Sequence, residues 1–263
     1  MALEKLILTD IKNKICTISL NNPEKRNVLT IGMLNEITVL LNQLRVKDEV
    51  RCLIIKGEGG NTFSSGYDIS AIKEDDMMRE FGTGHPLEDC FNAIENFPYP
   101  VIAMINGHIF GAGLELAVTC DIRICADHVK IGMPPAKLGV VYSYSGTKKF
   151  LNLIGTANSR ELFLTGNPIH ADRAEKMGLV NHTVDSLKLY QFTMKMAEEI
   201  SENAPLSLKT MKQLFNIWQR NQTICLEDEE LIKSHFKEVQ ESDDYKEGRK
   251  AFQEKRKPLF KGK

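Results

Sequence analysis

A chain of 263 residues, with 42% hydrophobic and 26% charged residues, has the length and composition of one large globular domain, or of one domain with an appendage. Its formal net charge of −1 excludes a global field that would draw the protein to nucleic acid or to an anionic membrane surface. The longest uncharged run, residues 96–114, is interrupted by prolines and glycines, so it predicts a buried strand and turn and not a membrane span.

The N-terminus and the cysteines predict the compartment. The first residues, MALEKLILTD, carry charges and no long apolar segment, so they do not resemble a secretory signal. The six cysteines are scattered along the chain without a Cys-x-x-Cys pair. We therefore expect reduced thiols in a cytoplasmic protein.

The beginning of the chain predicts a hairpin, a helix and a strand. The alternating runs at residues 6–10 and 15–20 predict a β-hairpin. Apolar residues at helical spacing predict a helix over 29–44, and the run at 50–56 predicts a strand. A loop rich in Gly, Ser and Asn follows at 57–66.

The segment 101–126 is the one around which we expect the rest of the chain to be organised. It contains an apolar run at 101–105, a glycine-rich turn over 106–113, a helix starting near Leu114 and a second apolar run at 122–126. A strand that ends in glycines and opens a helix directs backbone N–H groups toward negative charge. Glu115, an acid in the first turn of this apolar helix, would face the same cavity. The arrangement suits chemistry on an acyl group that becomes an oxyanion.

The segments on either side of this stretch are less regular. Residues 72–86 show no clean period and predict a mobile flap, and residues 87–96 predict a helix. Downstream, residues 129–132 predict a strand and residues 134–144 a loop.

The remainder of the chain is mostly helical in pattern. Residues 147–154 and 157–164 predict two helices, and residues 180–184 predict a last short strand. From Leu187 onward every pattern is helical, and Pro205 stands at a position typical of a helix start.

Strands that alternate with helices predict an α/β core with a largely parallel sheet. We place this core at residues 1–200 and a helical region at 201–263. The helical region would cover the core and join subunits.

Each candidate site residue also has a purely structural interpretation. The turn at 111–115 could only permit tight packing, because Leu116 replaces the last glycine of a dinucleotide fingerprint and no phosphate-loop lysine follows. Asp68 could simply cap a helix, and a lone Tyr142 could pack with its hydroxyl at the surface. The histidines show no metal-binding spacing, so no metal is expected.

Four motifs together resemble the crotonase (enoyl-CoA hydratase/isomerase) superfamily over essentially the whole chain. They are NNPEKRNVL at 21–29, FSSGYDI at 63–69, PVIAMINGHIFGAGLELAVTCDIRICA at 100–126 and FQEKRKPLF at 252–260. The resemblance implies a crotonase-like ββα spiral core of the α/β class with a C-terminal helical oligomerisation region. It also implies a homotrimer or a dimer of trimers, an acyl-CoA thioester as substrate, and no cofactor besides that coenzyme A.

The resemblance also implies roles for particular residues. The backbone N–H groups of Tyr67 and Ala112 would form an oxyanion hole that stabilises an enolate. The residues that would bind substrate and coenzyme A are Lys25, Arg26, Gly66, Asp68, Ile69, Gly111, Phe252 and Lys255. The last two match positions that close over the adenine and phosphate end, often from a neighbouring subunit.

The sequence departs from the hydratase pattern at one position. Hydratases of the superfamily use two glutamates; Glu115 matches the first, but Pro135 stands at the second and cannot transfer a proton. The sequence leading to Tyr142 instead resembles methylmalonyl-CoA decarboxylases, which implies that this hydroxyl binds the leaving carboxylate. Glu115 would then orient the substrate or the proton donor. Tyr67 stands where that subfamily has His, and its side chain would alter acyl size or carboxylate contact.

The leading hypothesis is a cofactor-independent lyase that decarboxylates a malonyl-type CoA thioester such as methylmalonyl-CoA. The second hypothesis is an enoyl-CoA hydratase or isomerase with Glu115 as its sole acid/base. The third is a non-catalytic acyl-CoA-binding protein.

Overall fold

A computed structural model describes residues 5–68, 85–220 and 226–261 of the chain. The predicted hairpin is confirmed: β1 (Ile7–Lys12) pairs antiparallel with β2 (Ile15–Leu20). Its two turn residues, Asn13 and Lys14, both have positive φ, as a tight two-residue hairpin turn requires.

The hairpin forms one edge of a six-stranded sheet. Its further strands are β3 (Cys52–Gly57), β5 (Val101–Ile105), β7 (Ile122–Ala126) and β10 (His182–Val184). Within the described residues the strand order is β1-β2-β3-β5-β7-β10. All pairings of this sheet beyond the hairpin are parallel, which confirms the predicted α/β class.

A second, four-stranded sheet positions the candidate site. Its strands, in their order across the sheet, are β4 (Thr62–Ser64), β6 (His108–Phe110), β8 (Lys130–Gly132) and β9 (Ile169–His170). The strands β3, β5 and β7 of the large sheet are each followed along the chain by a strand of the small sheet. The chain therefore winds as a spiral, and β4, β6 and β8 are parallel neighbours.

The strand β6 corrects one prediction. The sequence predicted an uninterrupted glycine-rich turn over residues 106–113, but Ile109 is buried and pairs with Ser64 on one side and Ile131 on the other. A strand of three residues is too short for its alternation to be seen in the sequence.

The helices surround these sheets. They are α1 (Ile31–Lys47), α2 (Pro86–Glu95), α3 (Ala112–Thr119), α4 (Tyr144–Thr165), α5 (Ala171–Lys176), α6 (Leu189–Glu202), α7 (Pro205–Arg220), α8 (Leu226–Glu241) and α9 (Asp243–Gln253). The predicted start at Pro205 is confirmed. The two helices predicted between residues 147 and 164 are continuous in α4, with a kink at Gly155, where φ is 71° and ψ is 170°. The predicted flap lies mostly outside the described residues.

The helix α3 is short and buried on every side. Its N-terminal N–H groups and Glu115 therefore lie inside the protein. In the described part of the chain, no helix combines the length and the hydropathy that crossing a membrane would need.

The C-terminal helices are fastened to the core by a buried lysine. Lys212 on α7 is 6% exposed, and its Nζ donates to Asp121 Oδ2 at 2.6 Å and to the carbonyl of Tyr99 at 3.1 Å. This contact spans the predicted boundary at residue 200. The boundary itself, and the role of the region in joining subunits, stay predictions.

We expect Lys212→Met to lower the free energy of unfolding by about 1–3 kcal/mol, because the Tyr99 carbonyl loses this donor and Asp121 loses its ionic partner. The matched control is Lys209→Met, three residues earlier on α7, which removes a largely exposed pair with Asp48. Such a pair contributes at most about 1 kcal/mol. Urea unfolding of both variants measures the difference, and equal losses would contradict this account.

Candidate active site

A cavity opens where the three parallel strands of the small sheet end. Its lining includes the residues that directly follow these strands, 65–67 after β4, 111–112 after β6 and 133–135 after β8. The predicted residues Tyr67, Ala112, Glu115 and Tyr142 all line this one cavity, together with Gly66 and Gly111.

The strand register places the segments that carry the two predicted amide donors next to each other. Ser64 of β4 and Ile109 of β6 are partners, and Tyr67 and Ala112 each lie three residues further along the chain, beyond the paired strands. Adjacent strands run about 4.8 Å apart, so the two segments leave the sheet as neighbours. Ala112 is the first residue of α3, so its N–H has no carbonyl of that helix to bond.

Two glycines permit this close approach. Gly66 has φ of +104°, and a Cβ placed on it would lie 3.2 Å from the Phe110 carbonyl oxygen and 3.6 Å from the Ala112 nitrogen. Gly111 has φ of 52° and ψ of −127°, a conformation essentially restricted to glycine. A side chain at Gly66 would crowd the neighbouring segment, and a side chain at Gly111 would strain its backbone.

Glu115 and Tyr142 form a buried pair. The Tyr142 hydroxyl donates to Glu115 Oε2 at 2.6 Å, although 27 residues separate them in sequence. Burial raises the pKa of Glu115 to about 7, with Lys149 and the Tyr142 hydrogen bond opposing the shift. Burial and the neighbouring carboxylate raise the pKa of Tyr142 well above its usual value. Glu115 therefore exchanges its proton near neutral pH, and Tyr142 remains a hydrogen-bond donor.

Sequence reasoning missed two titratable residues of the cavity lining, Glu88 and His85. Glu88 Oε1 accepts a hydrogen bond from Ser145 Oγ at 2.9 Å. His85 caps α2 by accepting the Leu87 N–H at 3.2 Å, and its ring centroid lies 5.8 Å from that of Tyr67. The sequence shows Glu88 only as an acidic residue on a predicted helix, and nothing local marks it as facing this cavity.

The C-terminal helices close one side of the cavity. Val239 and Gln240 of α8 and Tyr245 of α9 contribute to its lining. Gly248 allows α9 to pack directly against the Leu138 carbonyl. The part of the chain that was predicted to cover the site thus reaches the cavity within one protomer.

Several residues predicted to bind coenzyme A lie beside the cavity without lining it. Lys25 is exposed, and the Arg26 carbonyl accepts the N–H of Ser65 at 3.0 Å, which attaches this loop to the cavity edge. The buried Asn27, which was not predicted, fastens the same loop by donating to two carbonyls of the segment leading to β4. The Asp68 N–H donates to the Leu29 carbonyl at 3.1 Å.

The remaining predicted contacts are not brought to the cavity. Ile69 lies outside the described residues. Phe252 is 59% exposed, and neither it nor Lys255 lines the cavity of its own chain. The neighbouring Arg256 is engaged in a bidentate pair with Glu247 at 2.5 and 2.9 Å. Coenzyme A contacts by Phe252 and Lys255 therefore stay predictions.

Other chemistries find little support in the described residues. All five cysteines among them are buried, and burial raises the pKa of each to about 12, so none is a ready thiolate. No cluster of three or more His, Cys, Asp or Glu suited to a metal occurs in this part of the chain.

The sequence model of the enoyl-CoA hydratase/isomerase family matches residues 10–263. The chain belongs to this family. The superfamily predicted from the four motifs is thereby confirmed, and so is the mixed α/β crotonase fold.

Relatives in this family carry out more than one reaction. Methylmalonyl-CoA decarboxylase of Escherichia coli K12 is 33% identical over 251 residues, 95% of each chain. Crotonyl-CoA hydratase of Syntrophomonas wolfei is 34% identical over 262 residues, 99% of each chain. Sequence identity therefore does not separate a decarboxylase from a hydratase.

Solved structures of the family match the backbone of this chain to different degrees. A methylmalonyl-CoA decarboxylase in complex with 2-nitronate-propionyl-CoA has a TM-score of 0.94 at 32% identity, covering 99% of this chain and 100% of that one. An enoyl-CoA hydratase from Bacillus anthracis has a TM-score of 0.76 at 29% identity, covering 98% and 100%. The backbone of this chain is thus more similar to that decarboxylase structure than to that hydratase structure.

Proposed function

We propose that this protein is an acyl-CoA-processing enzyme that decarboxylates a malonyl-type CoA thioester, with methylmalonyl-CoA as the best candidate. The observation that carries the proposal is the pairing of Tyr142 with Glu115 in the cavity that Ala112 also lines. Pro135 lines the same cavity, at the position where the family resemblance predicts the second glutamate of a hydratase. The higher TM-score to the methylmalonyl-CoA decarboxylase supports it.

The reaction begins with the thioester oxygen between the amides of Tyr67 and Ala112. The bond from C2 to the carboxylate breaks, CO2 leaves, and the electron pair of that bond forms an enolate. The two amides stabilise the negative charge that grows on the oxygen. A proton from Glu115 then adds to C2, and Glu115 regains a proton from solvent. No cofactor is needed, because loss of CO2 itself generates the enolate.

The protonation state of Glu115 decides what Tyr142 can do. When Glu115 is ionised, it accepts the single hydroxyl proton of Tyr142. When Glu115 is protonated, it can donate to the Tyr142 oxygen, which frees the hydroxyl proton for the carboxylate of the substrate. A protonated Glu115 also avoids repulsion between two carboxylates.

The apolar lining of the cavity stabilises the carboxylate of the substrate poorly, and the product no longer carries that group. Among the described lining residues none is Lys or Arg, and most are apolar. A carboxylate taken from water into such surroundings is poorly stabilised. Loss of CO2 moves the negative charge to the thioester oxygen, beside the two amides that stabilise it.

Incubation with malonyl-, methylmalonyl-, ethylmalonyl- and crotonyl-CoA, followed by mass spectrometry of the products, tests the proposal. We expect CO2 release from a malonyl-type thioester. Turnover of crotonyl-CoA alone would reject decarboxylation, and turnover of any thioester would remove the hypothesis of a non-catalytic binding protein.

We expect Tyr142→Phe to lower kcat for decarboxylation by about 10- to 100-fold, the value of one hydrogen bond to a charged group. The ring remains packed against Phe163, 5.5 Å away, so the fold is retained. The phenol of Tyr144, two residues later, does not line the cavity, and Tyr144→Phe is the matched control. Undiminished CO2 release from Tyr142→Phe would count against a role for this hydroxyl.

A second candidate function is hydration of an enoyl-CoA, and Glu88 is the observation that favours it. From the sequence, this hypothesis uses Glu115 as the sole acid/base. The structure adds Glu88 as another carboxylate in the cavity lining, from α2 and not from the position of Pro135. Loss of crotonyl-CoA hydration in both Glu88→Gln and Glu115→Gln would support this reading.

We also propose that the protein is a homotrimer or a dimer of trimers. The apolar face of α7 supports an assembly, because Leu214, Phe215 and Trp218 are 58%, 65% and 61% exposed. Exposed apolar surface of this kind marks protein contacts. Sedimentation equilibrium measures the mass, and a monomer at micromolar concentration would reject the proposal.

A further inference from the structure

Lys149 lies directly behind the candidate acid, outside the cavity lining. Its Nζ is 3.0 Å from Glu95 Oε1 and 3.7 Å from Glu115 Oε1, and it donates to Thr119 Oγ1 at 3.1 Å. The ammonium also lies 4.9 Å from the centroid of the Phe91 ring. Lys149 thus touches the end of Glu115 that is opposite to Tyr142.

This end of Glu115 depends on Lys149 for electrostatic compensation. Glu115 is 4% exposed, and within the described residues its Oε1 has no hydrogen-bond partner. Gly146 brings α4 against it so closely that a Cβ there would lie 2.8 Å from Oε1. A buried carboxylate oxygen without a hydrogen bond is costly unless a positive charge is near.

The charged groups that face Lys149 come from two helices, namely Glu88 and Glu95 of α2 and Glu115 of α3. Burial disfavours its charge, but these three carboxylates outweigh burial and raise the pKa of Lys149, so it stays an ammonium. Its charge favours ionised Glu115, whereas Glu88 and Glu95 favour protonated Glu115.

We propose that Lys149 and Glu95 are a positioning pair that sets whether Glu115 carries its proton at neutral pH. The inference rests on the proposed function for its consequence in catalysis, because protonated Glu115 is the form that frees Tyr142 and protonates the enolate. The pair itself requires only the geometry behind Glu115.

Opposite changes in the pair test it. In Lys149→Met the titration midpoint of Glu115 should rise by about one pH unit or more, because an attractive charge within 4 Å is lost. In Glu95→Gln the midpoint should fall, because a competing carboxylate is lost and Lys149 keeps only Glu115 as a close ionic partner. Lys148→Met, which removes the adjacent ammonium, is the matched control and should leave the midpoint unchanged.

Two measurements report the midpoint. Infrared difference spectroscopy follows the carboxylic acid band of Glu115 against pH, identified by its loss in Glu115→Gln, and needs no turnover. The pH profile of kcat should move in the same direction as the infrared midpoint. Lys149→Arg, which keeps the charge, should return both toward wild type.

The outcomes separate the two proposals. Infrared midpoints that move in opposite directions in the two variants would support the positioning pair. If the wild type also releases no CO2, the decarboxylase proposal alone would be rejected. Midpoints that stay fixed, or that move in the same direction in both variants, would overturn the pair even in an active decarboxylase. If Lys149→Met does not fold, the downward shift in Glu95→Gln decides.

Discussion

Replacement of Ala112 by proline is expected to lower kcat by about 10²–10³-fold, the usual effect of losing one oxyanion donor. Proline is tolerated at the first position of a helix, which Ala112 occupies in α3. The substitution therefore removes the N–H while the helix remains. Steady-state kinetics with the substrate identified in the panel measures the loss.

The matched control is Ala112→Gly, which shortens the side chain and keeps the N–H. It should retain activity within about tenfold, and both variants should bind an unreactive acyl-CoA with similar affinity. A folded Ala112→Pro enzyme with more than a tenth of wild-type kcat would exclude this amide from catalysis and remove the main support for an enolate mechanism.

Glu115→Gln should lower kcat by about 10²–10⁴-fold, the range for loss of a general acid. The amide keeps the shape of the side chain and can still accept the Tyr142 hydroxyl, so the packing is preserved. In the wild type, activity should decrease as pH rises through about 7, because burial raises the pKa of Glu115 to that value and the protonated form is the active one.

Stability should change in the same direction as activity. A carboxyl group with a raised pKa in the folded state stabilises the protein below its unfolded pKa and loses this contribution as pH rises through the folded pKa. The wild type should therefore lose stability between about pH 4.5 and 7, and Glu115→Gln should not. Urea unfolding at pH 5 and pH 8 measures this, and an equal pH dependence in both proteins would contradict the burial argument.

The sequence allowed good prediction of the elements whose burial pattern is visible locally. The strand β5 matched its predicted bounds, and α1 buries the spaced apolar residues that predicted it, from Leu34 to Leu44. The three-residue strand β6 was missed for lack of length, and the kink at Gly155 made one helix look like two.

The candidate site was predictable where a local motif carries it and not where packing assembles it. The glycine turns and Glu115 stand in readable segments. Glu88 and Lys149 reach the site only because α2 and α4 pack against α3, and nothing local in the sequence marks these contacts. The partnership of Tyr142 and Glu115 likewise arises from folding.

The spiral also limits how such a site can be relocated during evolution. The register that aligns Tyr67 with Ala112 continues to the next strand, where the equivalent position is Pro134. Proline has no amide hydrogen, so this third turn of the spiral cannot offer a donor. A relative that used this third position for an oxyanion donor would first have to replace Pro134, before any change to Glu115 or Tyr142.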